Sequence, residues 1–137
     1  MHYIVINVIS ISNHCNNRYY TSTKSKNWSE PKTTNNEGAL LCDSMKLTYL
    51  EEIITSCEEN GIQLVFTASP IYKPVSDMSF APIKELCKKY QVPFLNHYCD
   101  SNFCYSSDFF ADGGHLNKYG AELVTSIMAS EIKHILR

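Results

Sequence analysis

Asp112 and His115 stand three residues apart in the run Phe110-Ala111-Asp112-Gly113-Gly114-His115-Leu116-Asn117-Lys118-Tyr119-Gly120-Ala121. The two glycines between them permit a tight turn that brings both side chains to one side. A carboxylate beside an imidazole fixes its tautomer and stabilises its charged form. That is the base half of a Ser-His-Asp system. Spacing alone favours a plainer reading, in which Asp112 bonds turn amides and His115 leads into a helix, because D-x-x-H is frequent by chance. Ser69 ends an apolar run and precedes Pro70. It is a candidate to line a substrate cleft near His115, although Ser-Pro after a strand is ordinary turn chemistry. His97 could face the same cleft from the end of a strand, but reads more readily as a solvated or hydrogen-bonded loop histidine. Asp100 and Asp108 read as turn formers. No metal-ligand cluster and no phosphate-binding glycine loop stands out.

These residues need elements to position them. Residues 3–9 are β-branched and apolar and suggest a buried strand. Residues 13–38 are rich in Asn, Ser, Thr and Lys, with Tyr19, Tyr20 and Trp28 as their large side chains, and read as a long loop. Asp43 or Ser44 caps a helix running to about Asn60, with Leu47, Leu50, Ile54 and Cys57 on one face. Gly61 supplies a left-handed stop. Ile62–Ala68 reads as a strand ended by Ser69-Pro70. A second helix is expected from about Ser79 to Tyr90, with Ile83, Leu86, Cys87 and Tyr90 inward. Val92–Asn96 reads as a short strand. The last helix runs from about Asn117 to Leu136, with Tyr119, Leu123, Val124, Ile127, Met128, Ile132 and Ile135 inward. Strands joined by a helical crossover are parallel and right-handed. The expected fold class is therefore α/β, a small parallel sheet flanked by helices. Functional residues of such sheets gather outside the carboxyl ends of the strands. That places the loops beginning at Ser69 and at His97 at the candidate site. The chain divides into an irregular segment over 1–42, with one possible strand, and an α/β unit over 43–137.

The Asp112-x-x-His115-Leu116-Asn117 run, followed by Gly120-Ala121 and an amphipathic helix, resembles the last conserved block of SGNH/GDSL hydrolases. The preceding stretch is similar to the helix-strand-helix-strand tail of the bacterial members. It runs from Tyr49-Leu50-Glu51-Glu52-Ile53-Ile54 through Gly61-Ile62-Gln63-Leu64-Val65-Phe66 to Ser69-Pro70, then through Ile83–Tyr90 to Val92-Pro93-Phe94. The resemblance covers roughly residues 43–137. It implies the C-terminal part of a flavodoxin-like SGNH hydrolase fold. It makes His115 the catalytic base that takes a proton from a serine nucleophile, and Asp112 the carboxylate that orients it. Asn117 matches the polar residue after the histidine block, and its helix-entry position suits a cap. The implied chemistry is ester hydrolysis or acyl transfer on a small acyl or carbohydrate ester, without cofactor.

The sequence departs from the family at its N-terminal side. No Gly-Asp-Ser nucleophile block and no Gly-x-Asn block occurs. Asp43-Ser44 reads as a helix cap. Ser10 and Ser12, after the first apolar run, have a better context for a nucleophile but no flanking glycine. Oxyanion donors are each worth ~10²–10³ in rate, so their loss weighs heavily. The chain is expected to be of SGNH lineage, truncated and inactive by itself. An N-terminal half polypeptide would then be the missing partner. The alternative is a non-catalytic α/β binding or interaction domain.

The composition narrows the remaining classes. The chain has 137 residues, enough for one domain with a real core. Twelve basic against fourteen acidic residues give a net charge of -2, which disfavours a sequence-independent nucleic-acid binder. No run of roughly 18 apolar residues suggests a transmembrane helix. The N-terminus lacks a basic n-region and a clear cleavage site, so no signal peptide is expected and the default location is cytoplasmic. Cys15, Cys42, Cys57, Cys87, Cys99 and Cys104 form no C-x-x-C pair. Mostly reduced thiols are expected, with Cys99 and Cys104 the pair best placed to bridge.

Overall fold

A computed structural model of the chain describes residues 2–7, 44–74 and 76–135. Its centre is the strand β2, Ile62–Ala68, which is buried from Leu64 onward. The strand β1, His2–Asn7, lies parallel to it, with His2 opposite Ile62 and Asn7 opposite Thr67. The short strand β3, Phe94–Asn96, lies parallel on the other side, with Phe66 opposite Phe94 and Ala68 opposite Asn96. The sheet order is β1-β2-β3. Residues 2–7 thus share one sheet with the α/β unit that follows.

Helix α1, Ser44–Glu59, buries Ile54 and Cys57 and half-buries Leu47 and Leu50. Its end follows from Gly61, whose φ of 63° is easy for glycine and lets its N–H donate to Glu58 O at 3.0 Å. Helix α2, Ala81–Tyr90, buries Ile83 and Cys87. A 3-10 turn at Met78–Phe80 precedes it, and Pro82 lies in its first turn. The α-helix therefore starts two residues later than Ser79. Leu64, Phe66 and Ala68 of β2 alternate onto the face where α1 and α2 pack, forming one core with Ile54, Cys57, Phe80, Ile83 and Cys87. Val65 and Thr67 point to the other face and are also buried. Each fully buried phenylalanine here stabilises the fold by about 1.5–3 kcal/mol.

Three local departures from the expected pattern have clear causes. β3 begins at Phe94, because the Val92 N–H is used to close α2 by donating to Cys87 O at 2.9 Å. Pro93 has no N–H, although its carbonyl still accepts from Phe66 N at 2.9 Å. Gln91 makes the left-handed exit from α2, with φ 55°, at a position where glycine is more usual. Helix α3, Lys118–Ile135, has Val124 buried and Leu123, Ile127, Met128 and Ile132 half-buried. Tyr119 and Ile135, expected inward, are exposed at 63% and 40%. Tyr119 instead stacks on Phe109, with centroids 5.8 Å apart and planes at 17°. The first turn of α3 approaches the loop before it so closely that Gly120 touches the Phe109 backbone, which leaves no room there for a larger side chain.

Candidate functional site

Three loops meet beyond the carboxyl ends of the strands. One follows β2 from Ser69, one follows β3 from His97, and one joins a 3-10 turn at Ser107–Phe109 to α3. Backbone hydrogen bonds knit them together. Ile71 N donates to Tyr98 O at 3.4 Å, Lys73 N to Cys104 O at 2.8 Å and Tyr72 N to Gly113 O at 3.2 Å. Phe110 anchors the third loop, fully buried, with its ring 5.5 Å from that of Tyr72.

The Asp112–His115 turn sits on that anchor. Phe110 and Leu116 form an antiparallel bridge, and Ala111 N donates to His115 O at 2.8 Å, which closes the loop at its base. At the tip, Asp112 Oδ1 accepts from Gly114 N at 2.8 Å and from His115 N at 2.9 Å. The same carboxylate accepts from His115 Nδ1, at 2.8 Å to Oδ1 and 3.0 Å to Oδ2. Asp112 bonds the turn amides, and it also orients the imidazole. Partial burial disfavours its charged form. The Gly114 amide and the His115 ring outweigh this and hold its carboxyl below the usual aspartate range. With Nδ1–H committed to Asp112, the neutral ring presents a lone pair at Nε2. Among the described residues no hydroxyl or thiol hydrogen-bonds that nitrogen. The side chains of His115 and Asp112 are 75% and 54% exposed.

Asn117 caps α3 as its position suggested. Its Oδ1 accepts from Gly120 N at 2.9 Å. Its Nδ2 also donates to Asp108 O at 2.6 Å, tying the helix to the turn before it. Ser69 is half-buried beside buried Pro70, three residues before Tyr72, in the loop that bonds the Asp112–His115 turn. Ser10 and Ser12, like Asp43 of the Asp43-Ser44 pair, lie outside the described residues. Ser44 is the first residue of α1.

The histidine that sequence reasoning undervalued is His97. Its Nδ1 lies 2.9 Å from Asp100 Oδ2, and its Nε2 lies 2.8 Å from Glu131 Oε2. With a carboxylate beside each nitrogen, the ring makes both bonds at once only when both nitrogens carry protons. Asp100 also accepts from Asn102 N at 2.9 Å, as a turn former would. Glu131 is 34 residues away along the chain, and no local pattern pointed to it. A second polar node at this pole is Asp77, whose Oδ2 accepts from Lys84 Nζ at 2.6 Å and Asn96 Nδ2 at 2.8 Å.

Cys57, Cys87, Cys99 and Cys104 are free thiols. Burial pushes Cys87 up to about 11. It does the same to Cys104, which donates to Tyr98 O at 3.3 Å. Cys15 and Cys42 lie outside the described residues. Among the described residues no three His, Cys, Asp or Glu side chains group as metal ligands. Nor is any described helix long and apolar enough to cross a membrane. In comparisons with known proteins, the chain matches no family model, no curated protein and no solved structure.

Proposed function

We propose that the chain is of the SGNH/GDSL serine-hydrolase lineage, with Asp112 and His115 as the base half of an acyl-transfer site. One observation carries the reading. The Asp112 carboxylate holds His115 Nδ1 while Nε2 has no hydrogen-bond partner among the described residues. The position of the pair, beyond the carboxyl ends of a parallel sheet, supports it. In the proposed reaction Nε2 removes the proton of a serine hydroxyl as that oxygen attacks an ester carbonyl. The same proton then passes to the departing alcohol. The substrate class is a small acyl or carbohydrate ester. The serine is left to Ser10 or Ser12, which follow β1 in sequence, or to a partner polypeptide. If the serine belongs to a partner polypeptide, the chain by itself lacks serine-dependent turnover.

A second reading rests on the exposure of the pair. Both side chains are more than half open to solvent, which weakens the electrostatic advantage of a water-excluded site. That favours a non-catalytic binding or interaction domain. One assay separates the two. The full chain is incubated with p-nitrophenyl acetate and, separately, with a fluorophosphonate. A bare dyad gives slow, His115-dependent hydrolysis without phosphonate labelling, reduced about 10²-fold in His115→Ala. Labelling of Ser10 or Ser12 would identify a complete site. Equal rates for the chain and His115→Ala, with no labelling, would leave the binding-domain reading standing.

A further inference from the structure

The apolar stripe of helix α3 is mostly half-buried, at Leu123, Ile127, Met128 and Ile132. Of its 18 residues, Gly120 and Val124 are fully buried. Helical stability in proteins comes mostly from tertiary packing, so a helix with a half-buried stripe draws also on its polar ties. Asn117 supplies one at the N-terminal end. A second, among the described residues, is fourteen residues further on, where Glu131 reaches His97.

The geometry of this second tie constrains its protonation. A carboxylate only accepts, and a neutral imidazole has a single N–H. His97 has carboxylate oxygens 2.9 Å from Nδ1 and 2.8 Å from Nε2. Both bonds exist together when the ring carries two protons. The His97 side chain is 12% exposed, so water does not readily replace a lost partner. Asp100 faces the ring from its own loop and Glu131 from α3. β2 contributes a backbone carbonyl, Ala68 O, which accepts from His97 N at 2.9 Å. No lysine or arginine among the described residues is paired with either carboxylate.

We propose that His97 is a proton-operated fastener, joining the C-terminal half of α3 to the loop after β3 when its imidazole is charged and letting go of one carboxylate when neutral. The device is independent of the acyl-transfer reading. Burial works against the charged ring, but the hydrogen bonds it donates to Asp100 and then to Glu131 outweigh it and raise the His97 pKa above its ordinary value. The same bond holds Asp100 low against its own burial. A raised histidine pKa stabilises the fold fully below the unfolded value of about 6.5, and that stabilisation is lost as pH rises through the folded value. The fastener is therefore closed in mild acid and opens toward alkaline pH.

The test is a ¹⁵N-detected titration of the histidine rings in the full chain, with hydrogen exchange of the α3 amides. The expected result is a doubly protonated His97 ring at pH 6, with a midpoint above the ordinary histidine range. Protection of amides 127–135, corrected for intrinsic exchange, should be progressively lost between pH 6 and pH 9 as the ring deprotonates. His97→Gln and Glu131→Gln should each remove that pH dependence. A neutral His97 ring at pH 6 would overturn the proposal, and this needs no variant. An unchanged pH profile of protection in Glu131→Gln would overturn it as well.

Discussion

The Asp112 carboxylate holds His115 twice, by its backbone N–H at 2.9 Å and by its ring Nδ1 at 2.8 Å, both through Oδ1. Main chain and side chain of one residue thereby share one oxygen, and the ring also lies 3.0 Å from Oδ2. The ring is oriented by the turn itself, although it is largely solvent-exposed.

This relationship predicts the tautomer of His115. When neutral, the ring should carry its proton on Nδ1 and leave Nε2 free. Long-range ¹H–¹⁵N correlation spectra read this directly. In Asp112→Ala the ring should shift toward the Nε2–H form, and the Gly114 and His115 amides should lose protection together. An Nε2–H ring in the unmodified protein would contradict the assignment of Nε2 as the basic atom.

Gly120 predicts a steric limit. A Cβ at this position would lie 2.2 Å from Phe109 O and 3.0 Å from Phe109 C, both backbone atoms. Alanine gains about 0.8–1 kcal/mol over glycine in a helix interior. Forcing apart two backbones costs more, typically 1–3 kcal/mol and occasionally beyond. Gly120→Ala should therefore be net destabilising, read as a lower denaturant midpoint at unchanged slope. An equal or higher midpoint would show that α3 can move away from the Phe109 turn without penalty.

The thiols should differ in reactivity. Cys57, Cys87 and Cys104 are buried, and burial raises Cys87 and Cys104 to about 11. Cys99 is exposed, with a smaller raising effect from partial burial. The thiolate is the nucleophile, so access favours Cys99 over all three, and pKa favours it over Cys87 and Cys104. Brief iodoacetamide treatment at pH 8 followed by peptide mass spectrometry should label Cys99 before those three. Preferential labelling of Cys104 would mean that its loop opens readily.

Local sequence signals accounted for the helices and strands where the signal was local in origin. The three- and four-residue spacing of Leu47, Leu50, Ile54 and Cys57 marked α1, and Gly61 marked its end, because both act within a few residues of backbone. β3 was shorter than its apolar run, because the Val92 N–H went to α2 and Pro93 had none to give. Tyr119 matched the helical stripe yet lies outward, since the surface opposite it is the Phe109 ring rather than the sheet. The dyad was visible as spacing, but Asp112 serving both amides and ring was not, because D-x-x-H suits either role.

By itself the sequence determined the α/β alternation, the parallel pairing of β2 with β3 and the tight Asp112–His115 turn. Each follows from periodicity, chain reversal or glycine at short range. Only the tertiary structure decided that residues 2–7 join the sheet beside β2, and that the loop after β2 bonds the Asp112–His115 turn. It alone decided that His97 is held by Glu131 across 34 residues. Contacts of that kind depend on how helices and loops pack in space, and no spacing along the chain encodes which carboxylate will reach a given imidazole.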